Sequence, residues 1–253
     1  MNTRLALLCT IATAALAADL PYAGKWKANL AKSDFGQTTL TIESLSGGEW
    51  QTTSFGITYK FKMDGKDYSD SMGGTAAWKT VGANTWDLVA KANGKVTEID
   101  TFKLGADGKT LTDDAKQMKV DGGSIESTTV YERGSGGPSL SGTWKTKKVS
   151  GATGTLELIA SGTNGPVLKD PDMGMTCDGK LDGKDYPCSG PMMPTGFTVT
   201  MKNAGRTLDL TVKKDGKAFF KATYSVAADG KSMTETGTPA VGGDKIKVVY
   251  DRM

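Results

Sequence analysis

The side chains best suited to chemistry in this 253-residue chain are sulfur-bearing ones in its second half. Cys177 and Cys188 lie close together, and four methionines flank them: Met173, Met175, Met192 and Met193. Soft thiolate and thioether ligands select Cu(I), so a copper site is one interpretation. The interpretation that we favour is a disulfide bracing a surface flap, because a disulfide leaves no thiolate for the metal.

Histidine is absent from the chain, and its absence excludes several kinds of site. Ser-His-Asp triads, Cys-His dyads and His-ligated zinc or haem all need an imidazole. One candidate pair for acid–base chemistry is Glu98 and Asp100, which share a face of a predicted strand with Phe102. We expect that face to point outward, with Ile99 and Thr101 inside. No catalytic motif is present, so we expect no enzymatic activity and no cofactor.

The first 17 residues are typical of a signal peptide. Arg4 is followed by an apolar run, and Ala15-Leu16-Ala17 matches the A-x-A cleavage rule. The rest of the chain has no apolar run long enough to span a membrane. The sequence therefore predicts export to the periplasm or extracellular space, where Cys177 and Cys188 would oxidise. The net charge of +3 forms no basic stripe, which argues against nucleic acid as a partner.

Four short motifs recur in the same order in the two halves of the chain. The matching ranges are 24–27 and 142–145, 64–68 and 182–186, 106–109 and 228–231, and 130–133 and 249–252. This spacing far exceeds the period of a solenoid and indicates a duplicated domain. We predict a first unit over 18–133, a flexible Gly/Ser linker over 134–139 and a second unit over 140–253.

Each unit has the residue pattern of an all-β domain. Asp-Gly-Lys occurs six times, and Asp-Gly is a preferred centre of type I′ hairpin turns. Between turns apolar and polar residues alternate, as at Leu208, Leu210 and Val212, which is typical of strands with one buried face. The sequence predicts two tandem antiparallel up-and-down β-barrels, with two β-sandwich units as the alternative.

The ends of both units resemble those of the lipocalins and the fatty-acid-binding proteins, both calycin-type barrels. The Gly-x-Trp opening lies at Trp26 and Trp144, and the Val-Tyr-Glu/Asp-Arg close ends at Arg133 and Arg252. The chain is also similar to exported bacterial proteins of unassigned role built from this unit. In lipocalins the opening Trp packs against a basic residue of the last strand. The resemblance therefore implies the pairs Trp26–Arg133 and Trp144–Arg252.

The fatty-acid site of that family does not transfer to this chain. The family's carboxylate-binding Arg lies two residues before the closing Tyr, where this sequence has Thr129 and Val248. A phenol alone, from Tyr131 or Tyr250, is a weak anion anchor compared with a bidentate Arg.

The expected function is binding of a small, mainly apolar molecule inside a β-barrel. The candidate ligand-binding residues are Trp26, Tyr131, Arg133, Trp144, Tyr250 and Arg252. The alternative is a structural or interaction module whose barrels are filled by side chains, with the Trp and Arg residues packed as a floor. Met-rich periplasmic copper binding is a minor alternative.

Overall fold

The protein is all-β, with two antiparallel ten-stranded sheets that curl into barrels. The computed structural model describes residues 20–161, 165–239 and 244–253, and the predicted signal peptide lies outside these ranges. The predicted class of two up-and-down barrels is confirmed, with one barrel closed and the other nearly closed. In the described ranges no helix is long and apolar enough to cross a membrane.

The strands follow one another mainly through short turns. The first ten are β1 (Gly24–Ala28), β2 (Thr39–Ser44), β3 (Trp50–Ser54), β4 (Ile57–Phe61), β5 (Tyr68–Ser69), β6 (Thr75–Gly82), β7 (Thr85–Ala92), β8 (Lys95–Leu104), β9 (Thr110–Met118) and β10 (Ser124–Ser135). The others are β11 (Gly142–Gly151), β12 (Thr155–Ser161), β13 (Gly165–Asp170), β14 (Met175–Asp178), β15 (Asp182–Ser189), β16 (Phe197–Ala204), β17 (Thr207–Lys214), β18 (Lys217–Val226), β19 (Ser232–Pro239) and β20 (Ile246–Arg252). Two short 3₁₀ turns, Leu30–Lys32 and Ser46–Gly48, follow β1 and β2.

The first barrel is a continuous piece of chain, β2 to β11. Its strand order is β4-β3-β2-β11-β10-β9-β8-β7-β6-β5, so its opening lies between β4 and β5. Aromatic side chains bridge this opening. The Trp78 Nε1 of β6 donates to the Tyr59 hydroxyl of β4 at 2.9 Å, and the Trp78 ring stacks on Phe61 with centroids 4.9 Å apart.

The second barrel is closed and is built from two separate pieces of chain. The strands β12 to β20 are neighbours in order, and β1 completes the barrel between β12 and β20. Trp26 of β1 lies opposite Leu156 on one side and Arg252 on the other. The first barrel is therefore inserted between the first strand of the second barrel and the other nine.

The stretch predicted as a flexible linker, 134–139, lies within the first barrel. β10 runs to Ser135, β11 begins at Gly142, and the two strands form an antiparallel hairpin with Arg133 opposite Trp144. The chain passes between the barrels at 29–38 and 152–154 instead. The predicted division at 134–139 therefore does not coincide with the division between the sheets.

The Asp-Gly and Asn-Gly turns are of two kinds. In Asn93-Gly94 the φ angles are 50° and 74°, and in Asp215-Gly216 they are 49° and 76°, as a type I′ turn requires. At Asp107-Gly108 the glycine has a φ of 64°, and the Asp107 carboxylate accepts the Lys109 N–H at 2.8 Å. The short Asp side chain closes turns of this second kind.

Cys177 of β14 and Cys188 of β15 lie opposite each other and form the predicted disulfide. Replacing both by serine should lower the free energy of unfolding of the second barrel by about 3 kcal/mol, because the bond restricts a loop of roughly 12 residues in the unfolded chain. Urea unfolding of the variant beside the oxidised parent measures this difference. Equal midpoints would contradict the prediction.

Candidate ligand-binding site

Each barrel has a Trp–Arg pair at one end, which we call its plug. In the first barrel Trp144 is fully buried, and its Nε1 donates to the Leu140 carbonyl at 2.9 Å. The Arg133 guanidinium carbon lies 4.0 Å from the centre of the Trp144 ring. Its nitrogens donate to the carbonyls of Ser139 and Ser141 at 2.6 and 3.0 Å. Since protein carbonyls already occupy these donors, the plug is chiefly a packing device.

The second barrel has the same plug, made by Trp26 and Arg252 at 4.1 Å. Arg252 also donates to three backbone carbonyls, those of Pro21 and Ala23 at 2.7 Å and that of Gly230 at 2.6 Å. The implied partners were therefore wrong: Trp26 packs with Arg252 and not Arg133, and Trp144 packs with Arg133. The reason is topological, because β1 lies beside β20 and β11 lies beside β10.

Glu98 and Asp100 of β8 face the inside of the first barrel, and the expectation that Ile99 and Thr101 would do so was wrong. Asp100 and Phe102 are each 4% exposed, whereas Ile99 is 36% exposed. Phe102 shares this inward face with the two acids, so its ring is buried while Ile99 is partly exposed.

These carboxyl groups line a cavity of about 380 Å³ inside the first barrel. Its walls combine apolar, aromatic and acidic side chains: Leu40, Thr52, Ser54, Phe55, Ile57, Tyr59, Asp70, Ala76, Trp78, Leu88, Ala90, Glu98, Asp100, Phe102, Asp113, Ala115, Ser127, Thr129 and Tyr131. Among these described lining residues four are acids and none is Lys or Arg. The cavity is therefore an acidic pocket with largely apolar walls.

Burial perturbs three of these acids. Desolvation, with repulsion from Glu98 and Asp113, raises the pKa of Asp100 to about 9. Desolvation, with repulsion from Glu98 and Asp114, raises the pKa of Asp113 to about 7. Desolvation also raises the pKa of Glu98. The cavity therefore holds carboxyl groups that retain protons near neutral pH.

Asp113 has an unsatisfied hydrogen-bonding position. The residue is 9% exposed, and its Oδ1 is buried without a hydrogen-bond partner in the described part of the chain. Such an atom costs about 1–3 kcal/mol, and more where it carries charge. Asp113 lies opposite Phe102 on β8 and Thr129 on β10. Asp113 is also one of the residues that line the cavity.

Aromatic rings form a rigid part of the wall. Trp78 lies between Phe61 and Phe102, with ring centroids 4.9 and 5.0 Å away. Burial raises the pKa of Tyr59 to about 12 and also raises the pKa of Tyr131. Both phenols therefore stay neutral at ordinary pH.

Phe55 marks the solvent-exposed edge of the cavity. It lies in the turn between β3 and β4, lines the cavity and is 49% exposed. Its φ of 49° is rare for a bulky residue and is strained. An apolar group bound at this edge would cover the ring.

The second barrel lacks two of the three buried acids. β8 and β18 match at an offset of 122, so Phe220 and Ala222 stand where the first barrel has Glu98 and Asp100. The acids at the Glu98 and Asp100 positions are therefore specific to the first repeat. A residue that served the fold alone would be expected in both.

The third buried acid, Asp113, has a counterpart in the second barrel that does have a hydrogen-bond partner. Glu235, at the same offset from Asp113, accepts the Tyr250 hydroxyl at 2.6 Å. Burial raises the pKa of Glu235, and phenolic hydrogen bonds lower it in part.

Of the six predicted ligand-binding residues, only Tyr131 lines the described cavity, while Tyr250 binds Glu235 and the other four form the plugs.

The disulfide removes both thiolates from the methionine-rich segment. Met192 is buried, and Met175 and Met193 pack against the core of the second barrel. The Met193 carbonyl accepts the Asn93 side-chain amide at 2.8 Å, which ties this segment to a turn of the first barrel. Within the described ranges no group of three or more His, Cys, Asp or Glu side chains is arranged to hold a metal ion.

Each barrel contains a Trp–Arg plug, and the first barrel also encloses a cavity. By its geometry the protein is therefore a β-barrel protein with an interior cavity. No protein-family model, curated protein or solved structure matches the chain. The barrel architecture therefore stands on the structure, and the lipocalin-like assignment stays a prediction.

Sequence reasoning missed Asp113, although a usable signal exists. Asp113 alternates with Leu111 and Ala115 on β9, so an acid occupies an otherwise apolar face. The second repeat places Glu235 at the matching position. An acid kept between apolar alternates in both repeats indicates an inward position.

Proposed function

We propose that this chain is an exported protein that binds a small organic molecule in the cavity of its first barrel. The observation that carries the proposal is a cavity of about 380 Å³ whose lining includes Asp113, a residue with a buried oxygen that has no hydrogen-bond partner among the described residues. This volume is within the range of small-molecule pockets, roughly 300–1,000 Å³. In the second barrel the matching acid already has a phenolic partner, which supports a structural role for that barrel.

The ligand has substantial apolar surface. Trp78, Phe102 and Leu88 supply apolar wall, and Phe55 offers an exposed ring at the edge. The Cys177–Cys188 disulfide is consistent with the oxidising compartments that exported proteins reach.

Rebuilding the first barrel with residues of the second should abolish binding. The Glu98→Phe/Asp100→Ala variant introduces the residue types of Phe220 and Ala222, filling the cavity and removing two carboxyl groups. Native mass spectrometry of protein purified from its own host should show a bound small molecule in the parent and none in the variant. Displacement of an environment-sensitive dye should show the same difference.

The matched control changes the outward face of the same strand. The Ile99→Ala/Thr101→Ala variant should keep both the ligand mass and the dye uptake, and circular dichroism should show folded barrels throughout. A parent protein with a clean apo mass and no dye uptake would overturn the proposal. Full binding by the rebuilt variant would overturn it as well.

A further inference from the structure

We infer that the ligand of the first barrel is a small organic cation with an apolar body, whose ammonium group is held by Asp113 together with Glu98 and Asp100. This inference rests on the proposed function, because it names the ligand class of the same cavity. Two observations carry it: the lining has four acids and no basic residue, and the buried Asp113 Oδ1 has no partner among the described residues.

The charge of the lining selects the sign of the ligand. A bound carboxylate or phosphate would lose its water and meet no basic residue in the described lining, so its charge would be buried without a counter-charge. A cation instead offsets the mutual repulsion of these acids and favours their ionised forms. Protons neutralise the carboxyl groups when no cation is bound, and an ammonium group takes over that role on binding.

The aromatic wall favours an organic cation over a metal ion. Phe102, Tyr59 and Tyr131 line the cavity, and the π face of an aromatic ring attracts a cation. The carboxyl groups come from β8 and β9 and are not gathered as metal ligands, since the described ranges hold no such group of three. Ring faces combined with carboxyl groups suit a larger ion with diffuse charge.

The edge of the cavity fits the apolar body of such a ligand. Phe55 is half exposed at this edge, and Ile57 and Leu40 also line the cavity. A ligand with its ammonium group at Asp113 would place its apolar part against these side chains and bury the Phe55 ring.

Three probes with one tail and different head groups test the inference on the full chain. Isothermal titration calorimetry should show octyltrimethylammonium and octylamine binding at least about tenfold more tightly than octanol, because charge-assisted contacts exceed neutral ones. Octanoate should bind more weakly than octanol. The mass of any small molecule that co-purifies should correspond to an amine or a quaternary ammonium compound.

Two neighbouring residues supply the matched variants. Asp113→Asn should weaken octylamine binding about tenfold or more while changing octanol binding by less than about twofold, because only the cation uses the charge. Asp114, which pairs with Lys103 at 2.8 Å on the outside of the barrel, supplies the control. Asp114→Asn removes only the last-ranked cause of the raised Asp113 pKa, so it should change octylamine binding much less than Asp113→Asn does and leave octanol binding unchanged.

The outcomes separate the ligand class from the binding function. Equal affinity for the cationic and neutral probes, or equal losses of octylamine affinity in the Asp113 and Asp114 variants, would overturn the inference that the ligand is a cation. Either result would leave the proposed binding function intact. A neutral or anionic co-purified molecule would do the same. If no probe binds and no small molecule co-purifies, both the inference and the proposed function fail.

Discussion

The free energy of unfolding of the first barrel should fall as the pH rises from about 4 to about 9. Burial raises the pKa of Asp100 to about 9 and that of Asp113 to about 7, both above the ordinary value of 3.8. The folded state therefore binds more protons than the unfolded state in this interval. The stabilisation that the extra bound protons provide is complete below the pKa of the unfolded state. It is lost as the pH rises through the pKa values that Asp100 and Asp113 have in the folded state. Each carboxyl group that keeps its proton contributes a slope of about 1.4 kcal/mol per pH unit.

Hydrogen exchange resolved to β8 and β9, measured at pH 6 and pH 9, checks this expectation. Asp100→Asn keeps a neutral side chain at that position, so the variant should flatten the slope and exceed the parent in stability at pH 9 by several kcal/mol, the slope summed from the unfolded to the folded pKa of Asp100. The Asp114 charge is the last-ranked cause of the raised pKa of Asp113, so Asp114→Asn should change the slope between these pH values less than Asp100→Asn does. Protection of the parent that is independent of pH would contradict the assignment of buried protonated carboxyl groups.

The barrel class could be predicted because its signals are local. The alternation at Leu208 and Leu210 places both side chains in the core of β17, and the Asn93-Gly94 turn has the predicted geometry. Turn residues and period-two alternation depend on neighbours along the chain, so a single sequence contains them.

The face of β8 was harder to assign, because both faces of this strand mix polar and apolar residues. Glu98 and Asp100 share their face with Phe102, while Ile99 shares the other with Thr101. Only the packing of neighbouring strands decides which set is inside. The cost appears in the raised pKa values of the acids, which fits the general observation that local rules fail at functional sites.

In the observed arrangement β1 belongs to the second barrel, and β10 and β11 pair within the first. β10 and β11 are separated by 136–141 alone, so they form a hairpin at small entropic cost. In contiguous barrels β1 would have to close a loop of about 100 residues with β10. Contiguous barrels would, however, pair β1 with β2 and β11 with β12 through short loops, so loop closure alone does not favour the observed arrangement. Because the openings at Trp26 and Trp144 are nearly the same motif, their side chains suit either barrel.

Engineered cysteine pairs should distinguish the observed arrangement, with β1 in the second barrel, from one in which each repeat forms its own barrel. In each arrangement one pair forms a disulfide and the other does not. Lys27 lies opposite Asp251 across β1 and β20, so Lys27→Cys/Asp251→Cys should form a disulfide on mild oxidation. In contiguous barrels Lys27 would instead oppose Glu132, the counterpart of Asp251, so Lys27→Cys/Glu132→Cys should stay reduced. Peptide mapping under non-reducing conditions reads out both variants, and the reverse pattern would show that each repeat forms its own barrel.

The same crosslink should strongly stabilise the second barrel. The Lys27→Cys/Asp251→Cys disulfide joins strands near opposite ends of the chain, so it closes a loop of more than 200 residues, and the chain-entropy contribution is about 5 kcal/mol. Urea unfolding of the oxidised and reduced forms measures it. A gain confined to the oxidised form would show that β1 is held by β20 in solution. No gain from a correctly mapped disulfide would mean that β1 already leaves the second barrel at low cost, because the crosslink would then constrain only a frayed strand.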